Sequence, residues 1–327
     1  MIFVFYNILV SVISLFIIES LKNKQNFIVV LDYPNDIRKI HTKPIPLLGG
    51  IILFLNLLFF FTYKLFDKID LKIFLVLYLL NFSFFLIGFI DDKKSISPIK
   101  KTLLIFSILF VILPLEQNLI VKNLIFKDIE INILLNEGGI FFTIFCIYFF
   151  FNFLNFSDGL NGISLGISLY WTLVLLFLNI IYFDFIISLI FCIIILLIYN
   201  LRNQLFLGNS GSSLLSVIFS SLFILQYNQQ NIILCDEIFL LVFLQSIDSG
   251  RVSLERILKG VSPFKADNIH FHHLLLKKFN NINSLIIYLI LSIIPFALSF
   301  FGLKTYYAFL ISLIIYISST LILKKYK

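Results

Sequence analysis

The chain has 327 residues, of which 60% are hydrophobic and only 13% charged, with a net charge of +7 and a mean hydropathy of +1.03. Soluble domains carry about 25% charged residues, so this composition excludes an ordinary water-soluble globule and points to a polytopic membrane protein. Three scattered cysteines, Cys146, Cys192 and Cys235, make neither a disulfide framework nor a zinc spacing.

In chain order, apolar runs fall near 1–19, 47–66, 71–90, 102–115, 138–154, 163–180, 181–199, 212–227, 235–247, 284–301 and 305–323. Backbone groups in lipid must be satisfied within the chain, so such runs are helices or strands of a closed barrel. These runs do not alternate in polarity, so they are read as helices. The expected fold is all-α: one polytopic domain over 1–327 with about eleven transmembrane helices, or ten. The first run lacks a basic leader and a small-residue cleavage site, and is read as a retained span.

Cations set the orientation. The loops 20–46, 91–101, 155–162, 200–211 and 248–283, with the tail from Lys324, fall on one side and hold 19 of the 25 Lys and Arg. That side is expected to be cytoplasmic, with the N-terminus outside and the C-terminus inside. The net positive charge follows from this topology, and no nucleic-acid partner is expected.

The polar motifs fall on the same side. "RKIHTKPIPLLGG" (38–50) brings Arg38, Lys39 and His41 to a membrane edge, as lipid-phosphate binders or as positive-inside anchors. Asp91 and Asp92 end the third run. Carboxylates are disfavoured at a helix C-terminus, so the pair suits a magnesium-dependent phosphate site or a base acting on a phosphate nucleophile, against the blander reading of a solvated helix end. Asn152, Asn155 and Asp158 recur every third residue in "NFLNFSDGLNG", on one helical face, and offer hard oxygen ligands for magnesium; a simple Asn/Gly turn is the alternative. "FLGNSGSS" (206–213) sets glycines, Asn209 and Ser210 at a helix start. It would offer donors to an anion, or would be an ordinary cap. "SPFKADNIHFHH" (262–273) clusters His270, His272 and His273 near Arg251 and Arg256; phosphate contact is favoured over zinc.

Taken in order, these motifs resemble the polyprenyl-phosphate N-acetylhexosamine-1-phosphate transferase family (glycosyltransferase family 4). The likeness is closest in the O-antigen and teichoic-acid initiating branch, which is related to lipid I synthase. It runs from about Asp32 to His273. The resemblance implies transfer of N-acetylhexosamine 1-phosphate from a UDP-sugar to polyprenyl (undecaprenyl) phosphate, with release of UMP, at the cytoplasmic face of a bacterial inner membrane. It implies magnesium, or manganese, as cofactor, and membrane lipid as surroundings; a homodimer is admitted. By this analogy Asp91, Asp92, Asp158, His272 and His273 are catalytic. Asn155, Asp158 and Asn209 hold metal. Arg38, Lys39, His41, Asn152, Asn161, Ser210, Arg256 and His270 bind substrate. The chain departs from the family pattern at Ser95, Asn161 and Asn209, each standing where an Asp is usual. Asn209 motivates the alternative expectation: a degenerate relative that binds UDP-sugar or lipid phosphate without turnover.

Overall fold

Long apolar runs leave the backbone only itself to bond with, and the computed structural model is accordingly helical. It describes residues 2–21, 29–34, 43–67, 71–129, 131–178, 182–230, 232–262 and 268–325. In order these form α1 (Ile2–Leu21), β1 (Leu31–Asp32), β2 (Ile45–Pro46), α2 (Gly49–Asp67), α3 (Leu71–Lys93) and α4 (Pro98–Ile112). Then come β3 (Asn123–Ile125), β4 (Asn132–Leu134), α5 (Gly139–Ser157), α6 (Ile163–Phe177), α7 (Phe183–Leu201) and α8 (Gly208–Gln230). The chain closes with α9 (Cys235–Leu241), α10 (Phe243–Leu258), α11 (Phe271–Leu276), α12 (Asn281–Phe300) and α13 (Thr305–Lys325). The strands are two small antiparallel pairs: β1 with β2 (Leu31 opposite Pro46), and β3 with β4 (Leu124 opposite Ile133).

Among the described residues, seven segments are long and apolar enough to cross a membrane: Leu71–Lys93, Pro98–Leu115, Asn136–Ser157, Phe183–Leu201, Gly208–Asn228, Asn281–Phe300 and Thr305–Lys325. Three shorter apolar helices, Val12–Leu21, Gly49–Lys64 and Ile163–Phe177, accompany them. The apolar run expected over 235–247 differs: it breaks at Val242 into α9 and α10. From Gln245 onward polar side chains gather on one face, so α10 is amphipathic. The Leu241 carbonyl beside the break accepts the Trp171 indole N–H at 3.0 Å, which offsets part of the cost of the break.

Helix α8 is the central element, buried on nearly every side and packed by α2, α3, α5 and α6. Its mean hydropathy is the lowest of the seven because it carries Ser212, Ser213, Ser216, Ser220 and Ser221, all buried. Small side chains let neighbouring helices approach closely. The approach is tightest at the start of α8. A methyl group on Gly88 of α3 would lie 2.3 Å from the Asn209 carbonyl oxygen, and one on Gly50 of α2 would lie 2.3 Å from the Ser210 hydroxyl. The strand-like segment before α2 also grips this start: Leu47 bridges Phe206, and Gly49 and Gly50 donate to the Phe206 and Leu207 carbonyls at 3.0 Å each.

Candidate active site

The end of α3 supplies two carboxylates that face different partners. Asp91 accepts from the Ile96 amide at 2.6 Å and from Lys101 Nζ at 2.9 Å. Both members of that ion pair are about nine-tenths buried, and Lys101 also lies 4.8 Å over the Phe151 ring. Asp91 thereby folds the loop between α3 and α4 back on itself. Asp92 reaches the other way, to α8. One of its oxygens accepts the Asn209 amide at 2.7 Å; the other accepts the Ser210 amide at 3.0 Å and the Ser210 hydroxyl at 2.8 Å. This is an N-terminal helix cap supplied from a distant helix, favoured by the positive end of the helix dipole. Gly208, with φ +74°, makes the left-handed turn that brings these amides round; a side chain there would press on the Asp92 carboxylate. The donors expected to meet an anion at Ser210 are therefore taken by Asp92.

The end of α5 meets the same loop. Asn155 donates to the Asn209 side-chain oxygen at 2.9 Å. Asp158 follows at the helix end, exposed to solvent. Crowding by protein atoms pushes its carboxyl upward, a Ser164 hydrogen bond pulls it down, and the nearby Asp92 carboxylate raises it again. Contact with water tempers that rise. Asn152 turns back onto its own helix, donating to the Tyr148 carbonyl at 2.9 Å. Asn161 is fastened to the end of α7, through the Asn203 side chain at 2.6 Å and the Asn200 carbonyl at 3.2 Å.

The histidines complete the ring of contacts. The His272 ring is buried against Gly159, where an added methyl would come within 2.5 Å of Nε2. Among the described residues that Nε2 has no hydrogen-bond partner. Burial, then the neighbouring His273 and His270, hold the His272 pKa well below the usual imidazole range, so the ring is neutral at pH 7. His273 lies 4.1 Å from it, ring to ring, and is half-buried. His270 stacks over His272 at 5.8 Å and tilts against Phe156, at the end of α5, at 5.3 Å. Its Nδ1 lies 2.9 Å from Asp248 of α10. Asp248 was not singled out from the sequence. Its signal there was the i, i+3, i+7 spacing of Asp248, Arg251 and Glu255 on one face of an amphipathic helix. Arg256 is buried on the same helix.

Three sequence elements, 91–92, 152–158 with Gly159, and 208–210, are thus joined by direct contacts, and the histidine element closes on the second. Arg38, Lys39, His41 and Asp267 lie outside the described residues. Among the described residues no three His, Cys, Asp or Glu side chains are grouped so as to hold a metal ion. The oxygen donors around Asp158, the Asn155 and Asn209 amides and the neighbouring Asp92, are chemically suited to a hard divalent cation, and the mutual repulsion of Asp92 and Asp158 is the charge such a cation would relieve.

The profile of glycosyl transferase family 4 matches residues 74–227, from α3 to α8. An undecaprenyl-phosphate alpha-N-acetylglucosaminyl 1-phosphate transferase of Escherichia coli O157:H7 is 27% identical over 263 residues, 76% of this chain and 69% of that protein. The enzyme of the same name from Thermotoga maritima is 27% identical over 307 residues, 92% of this chain and 91% of its own length. That from Yersinia pestis is 27% identical over 287 residues, 83% of this chain and 75% of its own. The acidic pair, the Asn–Asp turn and the glycine loop, in mutual contact, lie within the part of the chain, residues 74–227, that is similar to glycosyl transferase family 4.

Proposed function

We propose that this protein transfers an N-acetylhexosamine 1-phosphate from a UDP-sugar to a polyprenyl phosphate at the cytoplasmic face of a bacterial inner membrane. The observation that carries the reading is the convergence of α3, α5 and α8 at Asp92, Asn155 and Asn209, inside the region matched to the family. The relatives' names supply the acceptor, undecaprenyl phosphate, and make N-acetylglucosamine the first sugar to test.

In the reaction, an oxygen of the lipid phosphate forms a bond to the sugar-linked phosphorus, and the bond from that phosphorus to the UMP oxygen breaks. UMP leaves with the electron pair. Such chemistry depends on in-line placement and on charge stabilisation more than on a strong nucleophile. Asp158, Asn155 and Asn209 would hold a magnesium ion, which when bound supplies Lewis-acid stabilisation to the diphosphate. Asp92 keeps the α8 loop in register with α5, so that Asn209 stays beside Asn155. Asp91 is paired with Lys101; for it to take a proton from the lipid phosphate, that pair must open. His272, neutral and buried, walls the turn at Gly159; His270, also buried, and the half-buried His273 lie beside it, where either would contact a phosphate that enters the turn.

An apolar cavity of about 250 Å³ between α5, α8 and α9 supports a lipid acceptor. Phe149, Phe153, Phe223 and Phe239 line it, and Phe153 brings it to within a turn of Asn155. The topology of this reading keeps the N-terminus outside and the C-terminus inside, with about eleven spans, and leaves room for a second copy as partner. The test is purified protein with undecaprenyl phosphate, magnesium and a panel of UDP-sugars. UMP release with matching sugar in the lipid fraction is expected; neither product from any donor would overturn the reading. The second reading, a binding protein without turnover, is favoured by Asn209, whose neutral amide already satisfies Asn155. It predicts UDP-sugar binding without UMP release, and activity gained in Asn209→Asp.

A further inference from the structure

Asp248 is 3% exposed, yet it is a carboxylate with four donors aimed at it. His270 Nδ1 lies at 2.9 Å, the Phe271 amide at 3.1 Å, an Arg251 guanidinium nitrogen at 2.6 Å and the Tyr316 hydroxyl at 2.8 Å. Burial raises the carboxyl pKa, but the His270 hydrogen bond and the Arg251 charge outweigh it and hold the group below the usual carboxylate range. Arg251 is itself fixed by Tyr316 at 2.7 Å, by Glu255 at 2.8 Å and by the Ile269 carbonyl at 2.8 Å. Glu255 also pairs with Lys324. Three elements, α10, the start of α11 and α13, therefore converge on one buried charge beside the histidine cluster.

The consequence lies in the His270 ring. An ionised carboxylate has no proton to give, so the nitrogen facing Asp248 must carry one, and Nδ1 is N–H. Nε2, on the opposite edge of the ring, is the nitrogen left for a ligand. The ring is held too by its neighbours, His272 stacked 7° from parallel and Phe156 of α5 tilted by 32°. Among the described residues, Arg251, Tyr316, His272 and His273 are further titratable groups in this cluster.

We propose that Asp248 is a positioning residue: it fixes His270 as the Nδ1–H tautomer and sets its ring so that Nε2 meets a phosphate of the substrate, with Arg251 and Tyr316 holding Asp248 in place. This rests on the transferase reading for the identity of the ligand, but not for the tautomer. Carboxylate partners of this kind, when removed from working histidines in metal sites, cost about 10–100-fold in activity or affinity.

The experiment is nitrogen NMR of ¹⁵N-histidine-labelled protein in detergent, with only four histidines to assign, His270 by its loss in His270→Gln. The wild type should show His270 protonated at Nδ1. An Nε2–H tautomer in the wild type overturns the proposal outright, whether or not any variant folds. Asp248→Asn should mix the two tautomers and lower kcat by about 10–100-fold. In a His270→Gln background the same change should cost about twofold or less, since residues acting as a unit are not additive. Equal losses in both backgrounds, with the ring signals of His270 unmoved in Asp248→Asn, would mean a merely structural carboxylate and refute the proposal. If the wild type releases no UMP from any UDP-sugar, the transferase reading falls while the ring signals still decide the tautomer.

Discussion

Asp92→Asn separates structure from chemistry at the acidic pair. In the wild type both Asp92 oxygens accept: one from the Asn209 amide, the other from the Ser210 amide and hydroxyl. Asparagine keeps one oxygen, so one backbone N–H of the α8 start faces an NH₂ group instead. The loss is a charge-assisted hydrogen bond, about 1.5–3 kcal/mol, with an orphaned N–H costing about 1–3 kcal/mol. The Ser210 hydroxyl rotates to accept from the new amide and recovers about 1 kcal/mol. The net destabilisation is then about 2–4 kcal/mol. At about 2–4 °C per kcal/mol for a large domain, the melting temperature should fall by roughly 4–16 °C. Ser210→Ala removes one neutral donor from the same carboxylate and should cost about 1 kcal/mol. The assay is thermal unfolding in detergent followed by the fluorescence of Trp171, the single tryptophan. An Asp92→Asn protein that melts within about 1 °C of wild type but loses turnover a hundredfold would show that the carboxylate is not a cap, and the reasoning would fail.

Three further outcomes are expected. Asn209→Asp adds a carboxylate beside Asp92 and Asp158; it should melt lower without divalent cation and show a magnesium-induced rise with apparent affinity tightened by about five- to thirtyfold, equivalent to about 1–2 kcal/mol. The same magnesium response in both proteins would remove Asn209 from the metal site. His272 resists protonation in the folded chain, whereas the unfolded chain takes up a proton near pH 6.5. Stability should therefore be full above that pH and fall as the pH drops below it, by up to about 1.4 kcal/mol per unit, and His272→Gln should flatten melting curves recorded between pH 7.5 and 5; parallel curves would contradict the assignment. Single cysteines at Ser95 and at Asn136, in a chain cleared of Cys146, Cys192 and Cys235, should label from opposite faces of the membrane, and labelling from one face would end the proposed orientation.

Helices were legible in the sequence wherever an apolar run was long and uninterrupted, as in α3, α5, α12 and α13. The break at Val242 was not, because Leu240, Leu241, Val242 and Phe243 read as one continuous run; what ends α9 is the polar face of α10, which wants a different direction. The meeting of Asp92, Asn155 and Asn209 was legible as residue chemistry in loops expected on one side, but not as a set of bonds. Nothing in "DDKKS" says that one aspartate turns to Lys101 and its neighbour to α8; that depends on which face of α3 packs against α8. Asn152 and Asn161 were chosen by motif, and the structure ties both to nearby backbone carbonyls. Asp248 was passed over because its near partner, Arg251 in "SIDSGR", reads as an ordinary i, i+3 pair on a helix face; the partners that mark it, His270 and Tyr316, stand 22 and 68 residues away.

The cap from α3 to α8 has a consequence for the lipid around the protein. Asp92 lies at the end of one membrane helix, and the amides it holds begin another, with Gly88 allowing no slack between them. A helix adjusts to a bilayer thicker or thinner than its apolar length by changing tilt. Two helices that tilt by different amounts slide past one another, and a slide of one ångström at this joint is enough to stretch all three Asp92 contacts beyond good hydrogen-bond length. The thickness of the hydrocarbon layer thus acts on the alignment of Asn209 with Asn155. Reconstitution in lipids of graded acyl length should give a narrow optimum of activity, set by the match between α3 and α8 and not by the fluidity of the acceptor.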